Sequence, residues 1–191
     1  MYYHGSKTPG IKSIKPNQSM HDQEYTYLTT NEVVALIYTV NAIEVFYENN
    51  NITKPGSFQP WYSYGFNKDL LPIIDEYYPN STHDTYSNRS GSIYLCQEPS
   101  EYTNETNIHC AITTTKEVVV IKEIFIPDVY KKLLEYEKQG LLKIRKYEDT
   151  SEEYLEKIHS FIKDDIKKYN LSEDSLNSYS VFLKSKLPFL F

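Results

Sequence analysis

The pattern of apolar and polar positions predicts a strand at the very start of the chain. Tyr2-Tyr3-His4-Gly5-Ser6 carries aromatics suited to a pleated, half-buried surface and ends in a tight turn. Gly5 allows a close backbone approach that a side chain would block. In "GIKSIKP", Ile11 and Ile14 predict a short helical turn halted by Pro16, and the polar "SMHDQEY" reads as loop. "YTYLTT" supplies a second strand. The next run places Val34, Leu36, Ile37, Tyr38, Ala42 and Phe46 among few charges. With Asn31 as N-cap, it predicts one helix over 31–47, buried on most sides.

Residues 49–67 read as loop or irregular strand, punctuated by Pro55, Gly56 and Pro60. "KDLLPIIDEYY" predicts a short helix with Pro72 in its first turn, and "PNSTHDTYSNRSG" a polar loop. Three β-branched runs then predict strands in "SIYLCQ", "IHCAITTT" and "EVVVIKEIFI". Asp128 caps a helix that Gly140 terminates, and "LLKIRKY" reads as an edge strand. Thr150 and Glu153 form a capping-box pattern ahead of Leu155, Ile158, Ile162 and Ile166, which share one helical face. A last helix in "SEDSLNSYSVFLKSK" precedes an apolar "LPFLF", which needs a surface to cover. Strands and helices mix without regular βαβ alternation, so the fold class is α+β.

Composition narrows the function. The 191 residues suit one domain or one with an appendage, and 40% apolar content suffices for a core. Lys and Arg number 20 against 26 Asp and Glu, a formal charge of −6, which argues against a dedicated nucleic-acid binder. No apolar run is long enough to span a bilayer, and the start lacks the regions of a signal peptide, so the expected location is cytoplasmic. In that compartment Cys96 and Cys110 read as buried free thiols. Glycines are too scattered for a phosphate loop, and His4, His21, His83, His109 and His159 lack metal-ligand spacing, so no metal is expected. His83-Asp84 reads as part of a solvated loop.

Three segments read together resemble a known family. "YYHGSKT" resembles the start of the ADP-ribosyltransferase fold in its diphtheria-toxin and poly(ADP-ribose) polymerase branch, where a strand ends in His-Gly-Ser/Thr. "TYLTTNEVVALIYT" looks like that family's second strand and helix, with Tyr38 at the stacking tyrosine. "KEVVVIKEIFI" resembles the later segment in which a glutamate precedes a β-branched strand, with Glu117 at that glutamate. The resemblance covers roughly residues 1–127. It implies a split β-sandwich with flanking helices, an ADP-ribosyltransferase-like domain placed over 1–149. It does not explain the tail from Asp128 onward, where the helical pattern gives an extension over 150–191 packed on that domain.

The implied activity is transfer of ADP-ribose from NAD, as substrate, to a macromolecule. His4 would hold a ribose hydroxyl, the Gly5 backbone with Ser6 beside it would pair with the nicotinamide amide, and the Tyr38 ring would stack. Glu117 would stabilise the oxocarbenium-like ribose, as carboxylates do in glycoside cleavage. A serine that helps hold nicotinamide in polymerases aligns with Ala35, so that contact is lost or moves to Thr29 or Thr30. Glu123 lies an even number of residues from Glu117, and strand alternation would turn both acids to one side. Each residue also has a plain reading: Tyr38 as core, Glu117 as an exposed acid, Trp61 as a core or lid aromatic. Two alternatives remain: a non-catalytic module of the same fold binding a protein through its C-terminal helices, and an RNA 2′-phosphotransferase-like enzyme. The second ranks lower because Arg89 and Arg145 are the chain's only arginines. Few arginines beside many Lys, Asn, Ile and Tyr fit an AT-rich genome, and a bacterial, toxin-like or phage-defence-like setting goes with the ADP-ribosyltransferase resemblance.

Overall fold

A computed structural model describes residues 1–17, 23–53, 58, 61–169, 171 and 177–191. His21 and most of "SMHDQEY", together with Pro55, Gly56 and Pro60, lie outside the described residues. The first half runs β1 (Tyr2–Ser6), β2 (Ser13–Ile14), β3 (Thr26–Thr29), α1 (Glu32–Ile37), α2 (Ala42–Asn49), β4 (Tyr64–Phe66), β5 (Pro72–Asp75) and α3 (Ser81–Tyr86). The second half runs β6 (Gly91–Cys96), β7 (Ala111–Thr114), β8 (Val118–Ile126), α4 (Val129–Lys138), β9 (Lys143–Arg145), α5 (Glu152–Lys168) and α6 (Ser178–Lys186). No helix among the described residues is long and apolar enough to cross a membrane.

The chain divides into two compact units, Met1–Val40 with Asn88–Lys138 and Asn41–Ser87 with Gln139–Phe191. Residues 150–191 therefore belong to the second unit, along with residues from the middle of the chain.

The first unit is built on a six-stranded sheet in the order β2-β8-β6-β1-β3-β7, with every neighbouring pair antiparallel. β-branched residues dominate β7 and β8, and β6 carries Ile93 and Tyr94, where the sequence predicts strands. Ile14, Leu28, Tyr94, Cys96 and Val118 pack together on one face. Ile11–Pro16 departs from the expected helical turn: Ser13 and Ile14 pair with Val119 and Val118, because Ile14 has an apolar face to cover on the sheet.

The expected single helix over 31–47 is two helices. Asn31 caps α1, its side chain accepting from the Val33 and Val34 amides. Thr39 then donates its hydroxyl to the Leu36 carbonyl at 2.7 Å, and Asn41 accepts from the Ile43 amide at 3.0 Å to start α2. Side chains that satisfy backbone groups locally compete with continuation of the helix. Gly91 makes room for this break, since a Cβ there would stand 2.6 Å from the Thr39 Cβ.

The second unit pairs a three-stranded sheet, β4-β5-β9, with α2, α3, α5 and α6. The segment expected as a helix at Pro72 is instead strand β5, buried at all four positions. Proline is tolerated at the first residue of a strand, and Ile73-Ile74 favours the pleat. The expected loop after it contains α3, which buries Ser81, Thr82, Thr85 and Tyr86. β9 lies at the sheet edge as expected, parallel to β5. The cap of α5 falls on Ser151, one residue past the expected Thr150. Ile158 and Ile162 from its apolar face join Ile43, Phe46, Phe182 and Leu183 in the core. Leu187 and Leu190 of "LPFLF" are buried in that core, and Trp61 packs edge-on against Phe182 at 5.0 Å.

Candidate functional site

β1 carries the His-Gly-Ser motif through the middle of the sheet, flanked by β6 on one side and β3 on the other. Against β6 the register is continuous from Tyr2–Cys96 to Ser6–Ser92. Against β3 it contains the pair Tyr3–Thr29, and beyond it the His4 ring takes over the contact. His4 Nδ1 stands 2.9 Å from the Tyr27 carbonyl oxygen. A carbonyl can only accept, so Nδ1 carries the proton and Nε2 presents a lone pair. Burial pushes the His4 pKa below the ordinary histidine value, more than the Tyr27 carbonyl pulls it back. That shift favours the neutral ring, in which Nε2 is the hydrogen-bond acceptor.

The pleat turns Gly5 to the opposite face, where α1 lies against it. A Cβ at Gly5 would stand 1.8 Å from the Ala35 carbonyl oxygen. The close approach expected at this glycine is made by the helix backbone. Tyr38 follows as the half-buried C-cap of α1. Ser6 accepts from the Thr8 amide at 3.1 Å, closing the turn that ends the strand. Thr29 is buried and accepts from the Asn31 amide, and its hydroxyl lies 3.4 Å from Cys110 Sγ. The Thr30 amide donates to the Cys110 carbonyl at 2.8 Å. Both threonines thus serve the junction of β3, β7 and α1. Cys96 and Cys110 are free and buried, and burial pushes the Cys96 thiol up to about 11.

Glu123 within β8 and Glu117 just before it part company. His4 pairs with Tyr94, and Tyr94 with Glu123, so these three side chains stand in one cross-strand row on one face. Glu117 lies six residues earlier, roughly 20 Å along the strand at ~3.3 Å per residue. It is exposed and hydrogen-bonded by the Ser13 hydroxyl. The structure does not bring Glu117 beside His4. The expected common face also fails, because Leu95 pairs with Lys122 while Cys96 pairs with Val120. The extra residue, Ile121, is a β-bulge that reverses the alternation. Val118 and Val120 then pack on the Tyr94 face, which turns Glu117 to the other.

Glu123 has structural partners. Its carboxylate accepts from the Ser92 hydroxyl at 2.6 Å and from the Gly10 amide at 3.1 Å. The Tyr94 hydroxyl donates to the Thr8 carbonyl at 2.7 Å, accepts from the Ile11 amide at 3.2 Å and stands 3.2 Å from Glu123. The Ser92 hydrogen bond first, then the Gly10 amide, with smaller help from Tyr94 and Lys12, holds Glu123 below the usual carboxylate range. Sequence reasoning missed Ser92, Tyr94 and Gly10 as neighbours of the motif. Alternation in "SIYLCQ" does put Ser92 and Tyr94 on one face, but their pairing with β1 and β8 is a matter of register.

Trp61 and Arg145 belong to the second unit; Arg145 pairs with Asp75 at 3.2 Å and lies over the Tyr154 ring at 4.4 Å. Neither a protein-family model nor a curated protein matches the chain.

Proposed function

We propose that the first unit carries an ADP-ribosyltransferase-like domain that binds NAD and transfers its ADP-ribose to a macromolecular target. The observation that carries this reading is the meeting of Gly5 and Ala35. In the resemblance these are the glycine whose backbone pairs with nicotinamide and the position aligned with the nicotinamide-holding serine. They are far apart in the chain, and the packing of α1 on β1 brings the two positions together. The neutral His4 adds to it: with Nδ1–H committed to Tyr27, Nε2 suits a ribose hydroxyl as donor. Tyr38 at the end of α1 would stack on the nicotinamide.

Cleavage of the nicotinamide–ribose bond needs negative charge near the developing cation. The positions of Glu117 and Glu123 favour a second reading, a non-catalytic module of the same fold. Glu117 stands off the His4 row, and the Glu123 carboxylate is engaged by Ser92 and Gly10. Exposed Phe161 and Phe189 on the second unit would suit a protein partner. Nicotinamide release separates the two readings. Turnover that falls about a hundred- to a thousandfold in Glu117→Gln or in Glu123→Gln names the acid and supports the enzyme. NAD binding without any release from wild type supports the module.

A further inference from the structure

The connection from β1 to β2 is pinned more heavily than a surface loop needs. Thr8, Gly10 and Ile11 are each tied to the sheet through Tyr94 or Glu123. Gly10 adopts φ +78°, the left-handed conformation that favours glycine, and this presents its amide to both carboxylate oxygens. Tyr94 is fully buried and is the residue directly paired with His4. The loop is therefore fastened over the neighbour of His4, on the face to which His4 points.

We propose that Glu123 is a positioning residue: by holding Gly10 and Ser92 it keeps the Thr8–Ile11 loop closed over Tyr94, as the wall that shields His4 from water. The importance of that wall for a ligand rests on the NAD reading above; the wall itself does not. Around Glu123 the polar and charged groups are Ser92 and Tyr94 from β6, the Gly10 amide and Lys12 from the loop, and His4 beyond Tyr94. The backbones of His4 and Glu123 are about 10 Å apart, two strand spacings. Removal of the Glu123 charge by itself would lower the His4 pKa, since an anion favours imidazolium. Opening of the wall would raise it, because water solvates the charged ring. The two effects have opposite signs.

The test is NMR on the full chain, wild type against Glu123→Ala, with Glu123→Gln as a milder variant should the first fail to fold. Two readouts apply: exchange of the Gly10 amide and titration of the His4 ring. The expected result is Gly10 exchange at least tenfold faster, with the His4 pKa moving up towards the ordinary histidine value. In Glu123→Gln a glutamine oxygen can still accept from Gly10, so exchange should rise less, and loss of the charge behind a wall still in place should leave the His4 pKa unchanged or slightly lower. Unchanged Gly10 exchange in either variant overturns the proposal, and so does faster exchange in Glu123→Ala with a His4 pKa that stays or falls. Neither readout uses NAD, so failure of NAD to bind strikes the proposed function and leaves this result standing.

Discussion

Gly5 and Ala35 meet backbone to backbone: a side chain on Gly5 would run into the Ala35 carbonyl oxygen at 1.8 Å. The obstacle is helix backbone, which cannot swing aside as a side-chain end could. Gly5→Ala should therefore push α1 off the sheet and destabilise the protein by at least about 1–3 kcal/mol, the usual cost of overpacking. Urea unfolding followed by far-UV circular dichroism measures it. A neutral substitution would mean that α1 moves freely on β1.

The break between α1 and α2 gives a second prediction. Asn41 caps α2 by accepting from Ile43, so Asn41→Ala should cost about 0.5–2 kcal/mol. Asn31→Ala should cost a similar amount at α1, where two amides lose their acceptor. Were 31–47 one helix, Asn41→Ala would be harmless or stabilising, since alanine is the better interior residue.

These caps also show how far the chain could be read in advance. The strands of the first unit are legible because β-branched runs in β7 and β8 leave little choice, and Asn31, Asp128 and Gly140 punctuate helices by local chemistry. Segments near Pro72 and Asn80 are not legible: four-residue β5 and six-residue α3 owe their form to burial in the second unit's core. The candidate site is legible as residue types and illegible as geometry. Parity from Glu117 to Glu123 assumes an unbroken ladder, and a bulge at Ile121 depends on which partner residue each amide finds.

Asp75 carries a pH prediction. Burial raises its pKa above the ordinary carboxylate value despite Arg145 beside it, so the folded state prefers it protonated. Its contribution to stability is thus fully present below its unfolded value near 3.8, and is lost as pH rises through the raised folded value. Asp75→Asn should remove this dependence. Thermal melts of both proteins from pH 7 down to pH 4 should show wild type gaining on the variant as the pH falls. Parallel curves would contradict the raised pKa.

At the C-terminus, burial separates neighbours. Leu187 is 1% exposed in the second unit's core and Phe189 is 60% exposed. Leu187→Ala should cost about 2–5 kcal/mol. Phe189→Ala should stay within about 0.5 kcal/mol, as surface changes do. Equal effects at the two positions, read by thermal unfolding, would refute this placement of the tail.

Isothermal titration of the full chain with NAD tests most directly the proposal that NAD is held at His4 and Gly5. Wild type should give saturable heat at or below millimolar NAD. His4→Ala, with a melting curve showing that it is folded, should bind at least tenfold more weakly, a loss of about 1.4 kcal/mol. Folded wild-type protein that gives no binding heat at millimolar NAD, or a His4→Ala variant that binds as wild type does, would contradict it.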